Sequence, residues 1–201
     1  MIDLLKDDGL WVVTLRRPEK ANALTREMLN ELADIAEAAT AAKVLILTGK
    51  GKVFSAGADL DAVKAGLATD PAWERLSGAI AALPGLTIAA LNGSVAGGAL
   101  GMVLACDMRI AVPSAKVFYP VMRMGVLPQP SDPRRLAALV GPGRAKDLLL
   151  AASKWDAEHA FSVGFLDWID ADVMARAHAL AEPALAASQT RVREIKALIS
   201  R

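Results

Sequence analysis

The 201-residue chain is poor in the residue types that carry most redox, nucleophilic and metal chemistry. It has one cysteine, Cys106, and two histidines. A single cysteine cannot form a disulfide within the chain, and such usage is typical of a reducing compartment. Both histidines, His159 and His178, fall in late predicted helices, far from the cysteine. We therefore predict neither a catalytic triad nor a metal site.

The chain also lacks long apolar runs and an excess of charge. Its residues are 54% hydrophobic, yet no run reaches the length of about eighteen apolar residues that spans a membrane. A formal net charge of +1 gives no reason to expect a nucleic-acid partner. The N-terminus lacks the basic and apolar segments of a secretory signal. We predict a cytoplasmic protein whose apolar residues form a large core or a subunit interface.

Two common nucleotide and hydrolase motifs are incomplete. Gly49 and Gly51 follow a predicted strand, but Phe54 stands where a dinucleotide-binding motif needs its third glycine. Neither Ser55 nor Ser94 has the leading glycine of a Gly-x-Ser-x-Gly nucleophile turn. A Rossmann-type cofactor site and a serine hydrolase are both disfavoured.

Strands and helices alternate along the chain, which predicts one α/β domain. The predicted strands are Ile2–Lys6, Leu10–Leu15, Lys43–Thr48, Leu86–Leu91, Met108–Val112, Lys116–Tyr119 and Phe165–Ile169. Helices are predicted after Thr25 and after Pro71, and then at Leu100–Cys106, Pro133–Val140, Arg144–Ala152, Asp156–Val163 and Asp172–Ser188. The four prolines of Pro120–Pro133 predict an extended loop, and Asp132 is the expected N-cap of the helix after it. Residues 1–190 form the predicted domain, and 191–201 a short C-terminal helix or tail.

A glycine pair, Gly97 and Gly98, lies between the strand Leu86–Leu91 and the helix Leu100–Cys106. Such a junction leaves N–H groups unpaired at the start of the helix, where the helix dipole favours an anion. The alternative is a tight turn that needs glycine only for a positive φ or for close packing.

Two stretches, Phe54–Leu60 and Asn92–Gly98, together resemble the signature pair of the crotonase family, the enoyl-CoA hydratase/isomerase superfamily. Further matching segments are Arg17–Leu24, Cys106–Ala111, Gly125–Pro128 and Arg135–Leu136. The resemblance covers nearly the whole chain in order. It implies a crotonase-like superhelix of strand-strand-helix units, an acyl-CoA substrate and a homotrimer or hexamer. It implies no separate cofactor, because coenzyme A is part of the substrate.

The resemblance also assigns roles to residues. The backbone amides of Ala58 and Gly98 would bind the thioester oxygen and stabilise its enolate form. The segments expected to hold coenzyme A and the acyl chain contain Lys20, Ala21, Ala56, Asp59, Leu60 and Gly97. Lys20 is as consistent with a solvated surface charge as with a phosphate partner.

Two positions depart from the family pattern. Hydratases of the family carry one glutamate where this chain has Gly101 and another where it has Val121. Hydration needs one group to activate water and another to deliver a proton. We therefore predict that standard hydratase activity is absent, and that Gly101, Val121 and Met122 bound an apolar acyl pocket.

Tyr119 and Gln129 are the polar residues predicted to take part in catalysis in place of those glutamates, and Asp132 is interpreted as a helix cap. A pocket without carboxylates fits decarboxylation of a β-carboxyl acyl-CoA, since loss of carbon dioxide gives the enolate directly. Thioester hydrolysis and carbon–carbon cleavage stay open. The alternative is a non-catalytic acyl-CoA-binding or structural protein. The retained Ala58 and Gly98 favour ligand binding, whereas the missing glutamates argue against turnover. Of the two interpretations we favour the enzyme.

The last departure concerns the C-terminus. Family members usually continue into further helices that close the pocket and build the oligomer, whereas this sequence ends at Arg201. The resemblance therefore predicts a member shortened at the C-terminus, and leaves open what closes the acyl pocket and how the subunits assemble.

Overall fold

The computed structural model describes residues 1–199. The strands are β1 Ile2–Asp7, β2 Leu10–Leu15, β3 Val44–Gly49, β4 Val53–Ser55, β5 Leu86–Leu91, β6 Ser94–Ala96, β7 Met108–Ala111, β8 Lys116–Phe118, β9 Lys154–Asp156 and β10 Trp168–Ile169. The α-helices are α1 Arg26–Ala38, α2 Leu60–Lys64, α3 Ala72–Ala81, α4 Leu100–Leu104, α5 Val121–Met124, α6 Asp132–Leu149, α7 Ala157–Ser162, α8 Val173–Ala186 and α9 Gln189–Ile199.

The strands form two sheets. The larger has the order β1-β2-β3-β5-β7-β10, in which only the β1–β2 hairpin is antiparallel. The smaller has the order β4-β6-β8-β9, with β4, β6 and β8 parallel. Parallel neighbours need a crossover connection, and the helices supply it.

A unit of two strands and a helical segment repeats along the chain. β3, β5 and β7 lie in the larger sheet, and each is followed by a strand of the smaller sheet and then by helix. This is the predicted spiral of strand-strand-helix units. Because each unit adds one strand to both sheets, successive turns of the spiral place equivalent loops next to one another.

The core follows from the two-residue period of the strands. In β3, Leu45 and Leu47 pack with α1, α3 and α4 on one face of the larger sheet. Val44 and Ile46 pack with α8 on the other face. Burial of both faces explains why this strand is a continuous apolar run.

Helix α9 packs against the main body. The carboxamide of Gln189 donates to the carbonyl of Ala41, and the ammonium of Lys196 lies 2.6 Å from the carboxylate of Asp107. The division after residue 190, which would fall two residues into α9, stays a prediction, as does the shortening of the C-terminus. The last two residues of the predicted tail lie outside the described residues.

Most predicted elements are present, with two differences. The three-residue strands β4, β6 and β9 were not predicted, although the equally short β8 lies within the predicted strand Lys116–Tyr119. The segment Pro120–Pro133, predicted to be extended, contains α5. The predicted break between two helices at Gly141 is confirmed, because the helical segment α6 is interrupted at that glycine, whose backbone is non-helical (φ +80°).

No helix in residues 1–199 is long and apolar enough to cross a membrane.

Candidate active site

The site is built where two parallel strands of the smaller sheet end side by side. β4 leads into Gly57 and β6 leads into Gly97, and both glycines have positive φ, +92° and +56°. A Cβ on Gly57 would lie only 2.8 Å from the carbonyl oxygen of Ala96. The two loops therefore approach more closely than side chains would allow, and this brings the residues after them together.

Ala58 and Gly98 are the residues that follow, and both border one cavity of about 150 Å³. In the described part of the chain, neither backbone N–H donates a hydrogen bond. Gly98 lies in the single helical turn Gly97–Ala99 that precedes α4, where N–H groups have no intrahelical acceptor. The ring of Trp73 lies 3.0 Å from the point where a Cβ on Gly98 would stand. Two unpaired donors thus border one cavity.

Residues 21–24, which lie just before α1, make hydrogen bonds to the loop that carries Ala58. The carbonyl of Ala21 accepts a 2.9 Å hydrogen bond from the N–H of Ala56, and Leu24 forms a bridge with Ala58. The carboxamide of the buried Asn22 donates to the carbonyl of Val53 at 2.8 Å. The loop is therefore held by backbone groups of Ala21 and Leu24 and by the side chain of Asn22.

Asp59 has a structural partner on each side. Its carboxylate lies 2.7 Å from the guanidinium of Arg17 and also accepts from the N–H groups of Asp61 and Ala62, which makes it the N-cap of α2. The hydrogen bond from Arg17, followed by those from the helix N-terminus, lowers the pKa of Asp59. Asp59 does not border the cavity. The structure thus places this predicted binding residue, with Arg17, which the sequence did not single out, behind the Ala58 loop.

The other predicted binding residues divide into two groups. Four of them border the cavity: Ala56, Leu60, Gly97 and Val121. Lys20 is exposed at the end of a short helical turn, outside the cavity wall. Met122, predicted to bound the pocket, is 56% exposed and borders a different surface depression.

Tyr119 and Gln129, the two predicted polar groups, border the cavity and contact each other. The backbone N–H of Gln129 donates to the phenolic oxygen of Tyr119 at 3.3 Å. The carboxamide of Gln129 donates to the carbonyl of Ala68 at 2.9 Å, which fixes its orientation. The phenolic oxygen also lies 3.0 Å from Oδ2 of Asp132.

Asp132 does not have the predicted role of helix cap. It is the first residue of α6, Ser131 precedes it at the N-cap position, and the carboxyl of Asp132 turns into the core with 1% of the residue exposed. Its Oδ1 is the one buried side-chain polar atom in residues 1–199 without a hydrogen-bond partner. The sequence Ser131-Asp132-Pro133 offers two capping residues in a row, and the pattern alone does not indicate which one turns inward.

Burial governs the acidity of this pair. Burial raises the pKa of Asp132 to about 7, and the nearby Glu74 adds to the effect, while the hydrogen bond from Tyr119 and the charge of Arg135 oppose it. Burial and the Asp132 carboxylate raise the pKa of Tyr119 well above its usual value. Asp132 therefore exchanges its proton near neutral pH, and Tyr119 stays protonated there.

Gly101 lies behind the cavity wall. Its predicted position at the wall was wrong: it is buried and does not border the cavity. A Cβ on Gly101 would lie 3.0 Å from Oδ1 of Asp132. The space that a side chain at position 101 would enter is therefore occupied by the Asp132 carboxyl.

The cysteine lies away from this cavity. Cys106 is buried, its pKa is raised to about 12 by burial, and it does not border the cavity. Within the described ranges, no group of three or more histidine, cysteine or acidic side chains is arranged to hold a metal ion.

Comparisons with known proteins agree with this fold. A family model described as enoyl-CoA hydratase/isomerase matches residues 6–201. YngF of Bacillus subtilis, named as an enoyl-CoA hydratase/isomerase, is 36% identical over 210 residues, which cover 98% of this chain and 80% of YngF. The ethylmalonyl-CoA decarboxylase of Pongo abelii is 31% identical over 176 residues, which cover 83% of this chain and 58% of that protein.

Comparison with solved structures indicates the same family. The crystal structure of an enoyl-CoA hydratase/isomerase from Pseudoalteromonas atlantica matches with a TM-score of 0.89 and 30% identity, covering 98% of this chain and 82% of that one. The names of these hydratase/isomerase relatives give no support to the prediction that hydratase activity is absent. The chain belongs to the enoyl-CoA hydratase/isomerase family, the crotonase superfamily.

Proposed function

We propose that the protein is an acyl-CoA enzyme that stabilises an enolate-type thioester anion with the backbone amides of Ala58 and Gly98. The observation that carries this proposal is the pair of unpaired N–H groups bordering one cavity. Each preorganised donor of this kind contributes about 3–4 kcal/mol to an anionic transition state. The Ala58 loop is held by backbone bonds to Ala21 and Leu24, so its amide needs no rearrangement when the charge develops.

The reaction we propose is decarboxylation of an acyl-CoA with a β-carboxylate. The bond between the α-carbon and the carboxylate breaks, its electron pair moves into the thioester carbonyl, and carbon dioxide leaves. The cavity is lined mainly by apolar residues, including Trp73, Val121 and Met124. Such a lining disfavours the substrate carboxylate more than the dispersed charge of the transition state. The decarboxylase name of one relative supports this choice.

Hydration of an enoyl-CoA is the second candidate, because relatives are named as enoyl-CoA hydratase/isomerases. At the two positions of the family glutamates this chain has Gly101 and Val121, neither of which exchanges protons. Hydration would therefore depend on Tyr119 and the carboxyl group behind it.

Binding of the coenzyme A portion is proposed at the segments around Lys20 and Ala21 and at Ala56–Leu60. The proposed chemistry uses no cofactor beyond the coenzyme A that the substrate carries. A homotrimer or hexamer in the cytoplasm completes the proposal, and sedimentation velocity would measure the assembly.

Calorimetric titration tests the oxyanion site directly. Butyryl-CoA and its S-butyl thioether differ only in the carbonyl oxygen that Ala58 and Gly98 would bind. We expect the thioester to bind at least tenfold more tightly than the thioether, and acetoacetyl-CoA, which forms an enolate readily, to bind more tightly still. Equal affinity for thioester, thioether and free coenzyme A would overturn the proposal.

Turnover separates the candidate reactions. Methylmalonyl-CoA and crotonyl-CoA are incubated with the protein, and propionyl-CoA and 3-hydroxybutyryl-CoA are measured by mass spectrometry. Formation of propionyl-CoA supports decarboxylation, and formation of the hydroxyacyl product supports hydration instead. Tight binding with no product from either would indicate a non-catalytic acyl-CoA-binding protein.

A further inference from the structure

We propose that Tyr119 and Asp132 form the proton-handling pair of this site, in which a protonated Asp132 directs the hydroxyl hydrogen of Tyr119 into the cavity to protonate the α-carbon. This inference rests on the proposed enolate chemistry and names the group that completes it. Tyr119 borders the cavity and is the catalytic residue. Asp132 does not border it and acts through Tyr119, as a positioning and proton-supplying residue.

The contacts of the phenolic oxygen of Tyr119 allow its hydroxyl hydrogen two directions, and the protonation state of Asp132 decides between them. A hydroxyl has one hydrogen to donate and two lone pairs that accept. The N–H of Gln129 donates to one lone pair at 3.3 Å. When Asp132 is ionised, it can only accept, so the hydrogen of Tyr119 points at Oδ2, 3.0 Å away. That hydrogen is then turned away from a substrate.

Protonation of Asp132 reverses this bond. The carboxylic acid donates to the second lone pair of Tyr119, while Gln129 still occupies the first. With both lone pairs filled, the Tyr119 hydrogen has to point elsewhere, and the cavity is the space that this residue borders. The neutral acid therefore prepares a proton donor at the cavity wall.

The surroundings of Asp132 make its neutral form accessible. From α4 the group facing it is Gly101, which carries no charge; from α3 it is Glu74, a like charge. On its own helix Arg135 is the opposing positive charge, and the side chain of that arginine is held by Ser131 at 2.8 Å. A carboxylate with one oxygen unpartnered in the core is costly, and protonation relieves part of that cost.

A purely structural role explains this arrangement poorly. A buried, half-satisfied acid destabilises the fold relative to an apolar side chain of similar size. At position 101, where the family pattern has a glutamate, this chain has no side chain, and the carboxyl of Asp132 occupies the adjoining space. The carboxyl group in this region is therefore supplied by Asp132 on α6 and not by a residue of α4.

The proton balance closes for the proposed decarboxylation. After carbon dioxide leaves, the Tyr119 hydroxyl gives its proton to the α-carbon of the enolate, and the phenolic oxygen takes the proton of Asp132 in the same movement. The product is the saturated acyl-CoA. Asp132 is left ionised and regains a proton from solvent once the product departs.

The test uses the fact that Tyr119 is the only tyrosine in the chain. Tyrosine labelled with ¹³C at Cζ gives one resonance, whose position reports the hydrogen bonding of the hydroxyl. We expect this resonance to move with a midpoint near pH 7 in the wild-type protein and to stay constant in Asp132→Asn. A wild-type resonance that is constant from about pH 5 to pH 9, or one that titrates equally in Asp132→Asn, would overturn the inference.

Kinetics with methylmalonyl-CoA supply the second readout. We expect Tyr119→Phe to lower kcat by about 100-fold with little change in KM, since general acid catalysis contributes about 100-fold or more. Asp132→Asn should lower kcat and remove its dependence on pH around 7. Asp3→Asn, which changes a surface carboxylate paired with Arg16, is the control and should leave both unchanged.

The outcomes distinguish this inference from the proposed function. If thioesters bind and are decarboxylated but Tyr119→Phe keeps the wild-type kcat, the inference fails and the proposed function stands. If thioesters show no preference over the thioether, the proposed function fails, whatever the tyrosine resonance does. If both variants unfold, the wild-type titration of the tyrosine resonance still decides the matter.

Discussion

The carboxyl of Asp132 lies directly against Gly101: a Cβ built on that glycine would be 3.0 Å from Oδ1. Two elements distant in sequence, α4 and α6, meet at this point. A residue with no side chain on one helix leaves room for an acid on the other, and the acid contacts Tyr119 at the cavity wall. The two positions are therefore expected to vary together.

The first prediction concerns this contact. Gly101→Ala should destabilise the fold by about 1–2 kcal/mol, because the new methyl group presses on Asp132. Gly78→Ala in α3 is the matched control: a Cβ there meets nothing within 4 Å, so it should stabilise by up to about 1 kcal/mol through helix propensity. Urea unfolding gives both values. If the cost of Gly101→Ala persists in an Asp132→Gly background, the contact is not its cause.

The second prediction is a pH dependence of stability. Asp132 has a pKa near 3.8 when unfolded and about 7 when folded, so the folded state holds its proton more tightly. This difference in pKa stabilises the folded state most strongly below pH 3.8, and the stabilisation is lost as the pH rises through 7. Relative to Asp132→Asn, the wild-type free energy of unfolding should fall by roughly 4 kcal/mol between about pH 4 and pH 8. A pH-independent difference would contradict the raised pKa.

The third prediction concerns the support of the Ala58 loop. Arg17→Met removes the 2.7 Å partner of Asp59 and one bond to the carbonyl of Ala23, so the loop should loosen and thioester affinity should fall by about tenfold. Arg16→Met, at an exposed ion pair, is the control and should leave affinity unchanged. Calorimetry with butyryl-CoA measures both. Equal affinities in the two variants would show that the ion pair does not position the site.

The same ion pair has its own dependence on acid. Arg17 lowers the pKa of Asp59 in the folded protein, so the stabilisation is present above the unfolded pKa and is lost as the pH falls through the folded value. In Arg17→Met the acid transition should therefore begin at a higher pH than in Arg16→Met, as followed by circular dichroism. An acid transition that begins at a higher pH in Arg16→Met than in Arg17→Met would contradict this assignment.

The fourth prediction uses two glycines that share one backbone conformation. Gly57 and Gly66 both have φ +92°, but a Cβ on Gly57 would lie 2.8 Å from the carbonyl of Ala96, while Gly66 faces open space. Both alanine variants carry the conformational cost of about 1–2 kcal/mol. Only Gly57→Ala adds a backbone clash, so it should be the less stable in thermal unfolding and should lose the preference for thioester over thioether. Equal stability would mean that the two loops can separate freely.

The pattern of the strands explains which parts of the fold were predictable. β2, β3, β5 and β7 are mostly apolar segments of four to six residues, and their positions are close to those predicted. β4, β6 and β9 have three residues each, and their backbone pairing depends on neighbours far along the chain.

Some residues of the site could likewise be recognised in the sequence, and others could not. Small residues and glycines at Ser55–Asp59 and Asn92–Gly98 are visible in the sequence, and the structure places Ala58 and Gly98 at one cavity. The sequence did not indicate that the side chain of Asp132 turns inward. Whether an acid at the start of a helix caps it or turns inward depends on space left by another element, here Gly101.

The sequence by itself determined the α/β alternation, through local periodicity, and the family, through the resemblance of Phe54–Leu60 and Asn92–Gly98 to its signature pair. The same two stretches form the loops that carry the backbone donors. Only the tertiary structure decided that Asp59 is bound by Arg17, that Gly101 lies behind the cavity wall, and that Asp132 joins Tyr119. The physical reason is that a side chain's acidity and role depend on burial and on the groups packed against it. Those neighbours come from distant parts of the chain.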